Sequence, residues 1–284
     1  LEVVGMAFVE IGPGFYNARG SFKILAGLVD LGTHMSLAQL SSGRFLVIDT
    51  LPLSAELKAS FDKITQNGAL VEAVIGTHPY HTLHFKAFHQ AYPSLKYYGC
   101  PRHLAILPDI PWAGDMNDEA VRKLWEPDVE MRIPAGSEFV RPLPERTNHF
   151  SNVFVFHRQS KTVHNDDTII VSNQPGFLLR LKGFKEGTMM FHPSIKGPGL
   201  FPTPEGPKQF ICWLRKLLED WDFDNLVTAH NGNKIGGAKA HVSETLTKAI
   251  PSLEKLSAKN ATRTGAPKDT GAWSDDPSDP CDCG

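Results

Sequence analysis

The sequence predicts an α/β fold, an αββα sandwich of two sheets with helices outside. Two observations point there. Residues 1–50 read as antiparallel sheet, and strand and helix alternate after them. Leu1–Ile11, Ser21–Asp30, Met35–Leu40 and Arg44–Asp49 alternate or run apolar, with turns at Gly12-Pro13-Gly14, Gly32 and Ser42-Gly43. Ser54–Gln66 reads as a helix, with Ser54 as N-cap and Gly68 just past its end. Val71–Ile75 is a β-branched run that reads as a buried strand, followed by a helix over 80–91 and a strand over Leu95–Tyr98.

Residues 101–147 break this rhythm. Leu107–Gly114 and Ile133–Pro144 are proline-rich, with Trp112 and Trp125 between them, and read as a long lid or binding loop. A second such stretch, Gly183–Pro207, carries Phe184, Met189, Met190, Phe191, His192 and Phe201 and is apolar enough to wall a hydrophobic pocket. Glu205–Asp220 is an amphipathic helix with Phe210, Trp213, Leu214, Leu217 and Leu218 on one side. A strand at Leu226–Ala229 and a helix at Ala238–Leu256 follow. The division expected is one domain over 1–258 and a flexible tail over 259–284. That tail, with Trp273 as an isolated aromatic from Gly271 onward, has too little apolar surface to offset its ordering entropy.

Composition narrows the function. The net charge of −2 leaves no basic stripe for nucleic acid, and Lys182, Lys185 and Lys196 read as a solvated loop. No apolar run reaches the roughly 18–20 residues of a membrane span. The opening residues lack a basic leader and read as sheet rather than a signal peptide. Cys100 and Cys212 are isolated and Cys281 and Cys283 form a terminal C-x-C, which is no disulfide framework, so a cytoplasmic protein is expected, with Cys212 in the core.

The chemistry concentrates on histidine. His78, His81 and His84 form H-x-x-H-x-x-H where the strand over 71–75 gives way to a helix. Neutral imidazole is the commonest protein metal ligand, and three of them at a strand end can converge on one point. His149 precedes the strand Asn152–Phe156, Asp166 and Asp167 lie between two short strands, and His230 closes a strand at a glycine turn. Strand-end ligands of this kind gather at one sheet edge although they are far apart in sequence.

The order of these motifs resembles the metallo-β-lactamase superfamily. Its pattern runs strand, T-H-x-H-x-D-H, a distant His, a strand ending in G-D, and a strand ending in His near Gly. Thr77-His78 is similar to the opening of the first motif and His149 to the distant His. Lys161–Ile169 is similar to K-T-L-x-x-G-D-T-L, which implies that Asp167 is the bridging carboxylate. Ala229-His230-Asn231-Gly232 is similar to the last motif, and Arg44–Thr50 to a strand ending in an acidic residue, Asp49, beside the site. The likeness spans about residues 20 to 250. The chain also departs from the pattern. His81 and His84 fit the first motif only with a one-residue insertion, Leu83 then occupies the place of its Asp, and Asp166 replaces the Gly before the bridging carboxylate. His84 either replaces the lost ligand or points away.

The resemblance implies a metal-dependent hydrolase. His78, His81, His84, His149, Asp167 and His230 are the expected metal ligands, with one or two zinc ions, and Asp167 and His230 the expected catalytic residues. Metal-bound hydroxide would attack an ester, lactone or thioester of a small, largely apolar substrate. Two alternatives stand beside it: a mononuclear iron oxygenase using His78, His149 and Asp167, and a non-catalytic protein with a partial site. A small molecule is the expected partner, with neither nucleic acid nor membrane involved.

Overall fold

The computed structural model describes residues 7–24, 29–173, 180 and 185–262. In chain order the elements are β1 (Val9–Gly12), β2 (Phe15–Gly20), β3 (Lys23–Ile24), β4 (Val29–Asp30), β5 (Thr33–Gln39), β6 (Phe45–Ile48), α1 (Ala55–Thr65), β7 (Val71–Ile75), α2 (Phe85–Ala91) and β8 (Tyr97–Gly99). They continue with α3 (Pro101–Ile106), β9 (Trp112–Asp115), α4 (Glu119–Arg122), β10 (Val129–Arg132), β11 (Phe154–His157), β12 (Thr162–Asn165) and β13 (Ile169–Ser172). After β14 (Thr188–Phe191) and a 3₁₀ turn (Pro193–Lys196) come α5 (Glu205–Asp220), β15 (Asn225–Thr228), β16 (Asn233–Lys234) and α6 (Ala238–Ala261).

Seven strands form one sheet in the order β1-β2-β5-β6-β7-β8-β9, and five form a second in the order β10-β11-β12-β15-β16. Pairing is parallel from β6 through β9 and between β12 and β15, and antiparallel elsewhere in the two sheets. Period-two alternation sorts the side chains. On β6, Leu46 and Ile48 face a core shared with Val129, Met131, Val155 and Val227 of the other sheet. Phe45 and Val47 face the opposite way, against Leu57 and Phe61 of α1 and Phe85 and Phe88 of α2. The second sheet turns Phe154, Phe156 and Val163 outward to Phe210, Trp213 and Leu214 of α5 and to Val242 and Leu246 of α6. Helix, sheet, sheet and helix are therefore stacked around three apolar layers, the αββα sandwich expected from sequence.

Local signals explain the boundaries. Ser54 caps α1 by accepting from the amide of Leu57 at 3.1 Å, and the helix ends in a left-handed Gln66 (φ 53°). α5 spans the expected residues. Other expectations need correction. The helix expected over 80–91 starts at Phe85, because Pro79 and the turn over 80–84 delay it. Residues 101–132 are not a loop but carry α3, β9, α4 and β10, since Pro101 stands at the first turn of α3, where a proline costs nothing. β13 and β14 pair inside the stretch expected to be irregular. Cys212 is half-buried rather than in the core. Residues 1–6, 25–28, 174–179 and 181–184, and the tail from 263, lie outside the described residues. Among those described, no helix is long and apolar enough to cross a membrane.

Candidate metal centre

Two parallel strand pairs, one in each sheet, end at the same place. β6 ends at Asp49 and its partner β7 at Thr77-His78; β12 ends at Asp166-Asp167 and its partner β15 at His230. Carboxyl ends of parallel strands are where α/β sheets present ligands. The loop carrying His149 is tied to this edge by the amide of Val153, which donates to the carbonyl of Thr77 at 2.8 Å.

Asp167 is the hub. One of its oxygens, Oδ2, lies 3.4 Å from His78 Nε2, 3.6 Å from His81 Nε2 and 3.6 Å from His149 Nδ1. Such gaps are long for hydrogen bonds but close to the edges of a tetrahedron around a cation with bonds of about 2.0–2.1 Å. His78, His81 and Asp167 each offer a ligand atom within 4.8 Å of one another. The other oxygen, Oδ1, lies 3.0 Å from His230 Nε2, yet it is buried without a hydrogen-bond partner. His230 Nδ1 sits 2.7 Å from the carbonyl of Gly32 and donates to it, which in the neutral ring leaves a lone pair on Nε2. Two lone pairs then face each other at Oδ1 and Nε2, an arrangement that a cation between them satisfies. The donor set fits a metal ion.

His78 is bound differently. Its Nδ1 accepts from the amide of Tyr80 at 3.0 Å, so the neutral ring carries its proton on Nε2, toward Asp167. Burial, with His81 adding to it, pushes the His78 pKa down to about 3. In this tautomer His78 Nε2 faces the carbonyl of His149, also at 3.4 Å, and donates rather than offering a lone pair. Burial also works against charge on His81, but Asp167 and Asp166 outweigh it and raise its pKa well above the ordinary value. Burial opposes charge on Asp167 as well, and His230, His78 and His81 overcome it and hold its carboxyl well below the usual range. His84 stands apart. It is the N-cap residue of α2, belongs to neither group of converging ligand atoms, and its pKa is lowered by burial and by His81.

A second cluster lies deeper. His34, Asp49, His164 and Asp166 also bring ligand atoms together, and all four are buried. His34 Nε2 reaches Asp166 Oδ1 and His164 Nε2 reaches Asp49 Oδ2, each at 3.1 Å. The Thr77 hydroxyl lies 2.5 Å from Asp49 Oδ2 and 2.6 Å from Asp166 Oδ2. A hydroxyl has one proton to give, so the two carboxylates hold a second one between them. Burial and the neighbouring Asp166 raise the pKa of Asp49. Asp49 also adopts a left-handed backbone (φ 58°), strain of the kind concentrated at functional sites.

The comparisons can now be placed on this geometry. No protein-family model matches the chain, and no curated protein matches it. Solved structures do. DIM-1 metallo-β-lactamase exposed to ceftazidime superposes with a TM-score of 0.56 at 14% identity over 87% of this chain and 99% of that one. TMB-1 gives 0.55 at 15% identity, over 87% and 99%. The metallo-β-lactamase FIM-1 from Pseudomonas aeruginosa in its mono-zinc form gives 0.52 at 9% identity, over 88% and 96%.

The chain has the metallo-β-lactamase fold. Of the residues expected from sequence, the structure brings four histidines, His78, His81, His149 and His230, around the carboxylate of Asp167. The sequence reading missed His34 and His164. The available signal was polarity on an inward face: His34 and Ser36 share a face with the buried Ala38, and His164 alternates with Val163, which points to the helices.

Proposed function

We propose that the chain is a metal-dependent hydrolase with one zinc ion held by His81, His149, Asp167 and His230, and with His78 as a supporting residue that holds the carbonyl of His149. The observation that carries this reading is the pair of facing acceptors, Asp167 Oδ1 and His230 Nε2, at 3.0 Å. When bound, the metal supplies Lewis acidity and makes a water molecule acidic enough to attack at neutral pH. Asp167 faces His78, His81 and His149 with Oδ2 and His230 with Oδ1, so it would orient a water held at that metal. His230 is held for this task by Gly32 on one ring nitrogen and by the ring of Phe22, 6.1 Å away, on its face.

The rim supports a small, largely apolar ester, lactone or thioester as substrate. Tyr80 packs 4.7 Å from the ring of His149, and its hydroxyl donates to the carbonyl of Pro142. That bond seats the segment carrying Val140 and Leu143 against Tyr80, and these two apolar side chains are 41% and 53% exposed, as Leu83 on the Tyr80 turn is at 69%. The nearby Arg102 is neutralised by Glu145 at 2.9 Å.

A second reading has its own observation. His81, His149 and Asp167 are two imidazoles and one carboxylate, the donor set of non-haem iron oxygenases. Elemental analysis of purified protein separates the readings. One zinc per chain, with hydrolysis of p-nitrophenyl acetate or an acyl thioester that stops on chelation and returns with zinc, is expected. Iron as the bound metal overturns the hydrolase in favour of the oxygenase. Bound zinc without turnover of either ester class leaves a binding protein.

A further inference from the structure

The inner cluster offers the same ligand chemistry as the outer one, and hydrogen-bond direction tells the two apart. Arg19 provides the starting point, because a guanidinium can only donate. Its Nη1 donates to Asn233 Oδ1 at 2.8 Å, which fixes which end of that amide is oxygen. Asn233 Nδ2 therefore donates to Asn17 Oδ1, at 3.0 Å. Asn17 Nδ2 can in turn only donate, and its two protons serve three acceptor positions, the carbonyl of Met35 at 3.3 Å, Ser36 Oγ at 2.9 Å and His34 Nδ1 at 3.3 Å, so a proton on His34 Nδ1 would face a donor. His34 Nδ1 is thus the acceptor of its ring. The proton sits on Nε2 and is given to Asp166 Oδ1. A nitrogen that carries a proton offers no lone pair to a metal, so in this arrangement His34 acts as a hydrogen-bond donor to Asp166 rather than as a ligand.

What the inner cluster supports is His81. Asp166 Oδ1, held by His34 on one side and with Oδ2 held by Thr77, lies 3.4 Å from His81 Nδ1. On the far side of the same ring, Nε2 faces Asp167. We infer that Asp166 is a positioning residue for the metal centre: it takes the Nδ1 proton of His81 and so turns the Nε2 lone pair toward Asp167, with Arg19, Asn233, Asn17 and His34 fixing its own orientation. This rests on the metal reading above and adds to it the residue that stands where the resembling family has glycine. A metal-bound histidine generally gives its other ring proton to a carboxylate, carbonyl or water, and such partners matter to affinity.

The test uses the full chain, zinc and two measurements. In ¹⁵N-histidine-labelled wild type loaded with zinc, long-range ¹H–¹⁵N spectra report each ring's tautomer. The expected result is a proton on Nδ1 of His81 and on Nε2 of His34. Asp166→Asn, which keeps shape but removes the charge, should weaken zinc binding roughly 10–100-fold in a chelator competition, the range for such partners. Asp166→Glu should recover part of that loss, which a purely structural role would not do. A proton on Nε2 of zinc-loaded His81, or a folded Asp166→Asn that binds zinc as tightly as wild type, overturns the inference while the metal reading stands. A wild type that takes up no zinc overturns both.

Discussion

His34 and His164 lie ring over ring, their centroids 4.2 Å apart, in the space between the two sheets. They come from β5 and β12, one strand of each sheet; His34 reaches Asp166, and His164 reaches Asp49 at 3.1 Å and Asp166 at 3.5 Å. Removing either ring leaves a buried carboxylate short of a donor. His164→Ala is expected to destabilise the chain by about 3 kcal/mol or more, by the rule for stripping one member from a buried charged pair. Urea unfolding of the variant checks this, and a loss under about 1 kcal/mol would show that the pair is idle.

Ligand loss should separate from fold loss. His149→Ala, Asp167→Ala and His230→Ala are each expected to abolish zinc retention on gel filtration while the melting temperature of the metal-free chain moves by only a few degrees. His149 and His230 sit in loops after strands, and each is partly exposed. A large drop in stability with zinc retained would make these residues structural.

His78 should behave as a support rather than a ligand. Because Tyr80 occupies its Nδ1, His78→Gln is expected to keep one zinc per chain at roughly 10–100-fold lower affinity. Complete loss of zinc would place His78 in the coordination sphere.

His103 gives the stability a pH dependence of known sign. Burial pushes its pKa down to about 4, and it lies against Phe85 and Trp112. The unfolded chain takes up a proton on this ring below its ordinary value of 6.5, and the folded chain does so only near 4. The contribution is therefore complete above pH 6.5 and is lost as the pH falls toward 4, at no more than about 1.4 kcal/mol per pH unit. His103→Gln should flatten the stability curve across that window. Parallel curves for variant and wild type would reject the assignment.

The outer helical layer can be weakened without touching the centre. Phe61 is fully buried, 5.5 Å from the ring of Phe88 and 4.9 Å from that of Tyr92. Phe61→Ala is expected to cost about 3–5 kcal/mol, with zinc stoichiometry unchanged. Metal loss in a folded Phe61→Ala would mean that the layers are more tightly coupled than their contacts imply.

How far the sequence carried depends on how local each signal is. The Ser54 cap, the amphipathic run of α5 and the β-branched strand before His78 are written within a few neighbouring residues, and the structure places them as read. Strand-end histidines were also readable, because a polar residue following an apolar run marks an edge. His34 and His164 carry no such mark. Each is one polar residue within a strand, and its meaning comes from a partner more than a hundred positions away. Proline misled in the opposite sense: Pro101 begins a helix, while the same residue type nearby marks irregular chain. Asp166 looked like a lost glycine, and its role depends on what His34 and Thr77 do around it.

Arg19 reaches the carbonyls of Thr228 and Ala229 at 2.9 and 3.0 Å, as well as Asn233, so the second strand of the chain is bolted to the loop after its fifteenth. Until that loop exists, His230 is missing, Asn17 is not oriented and the support behind His81 is incomplete. A growing polypeptide on the ribosome would thus have the first histidine motif in place for well over a hundred residues without a competent site. Cation capture belongs to the finished molecule, and it would report closure of the whole sandwich rather than folding of any one part.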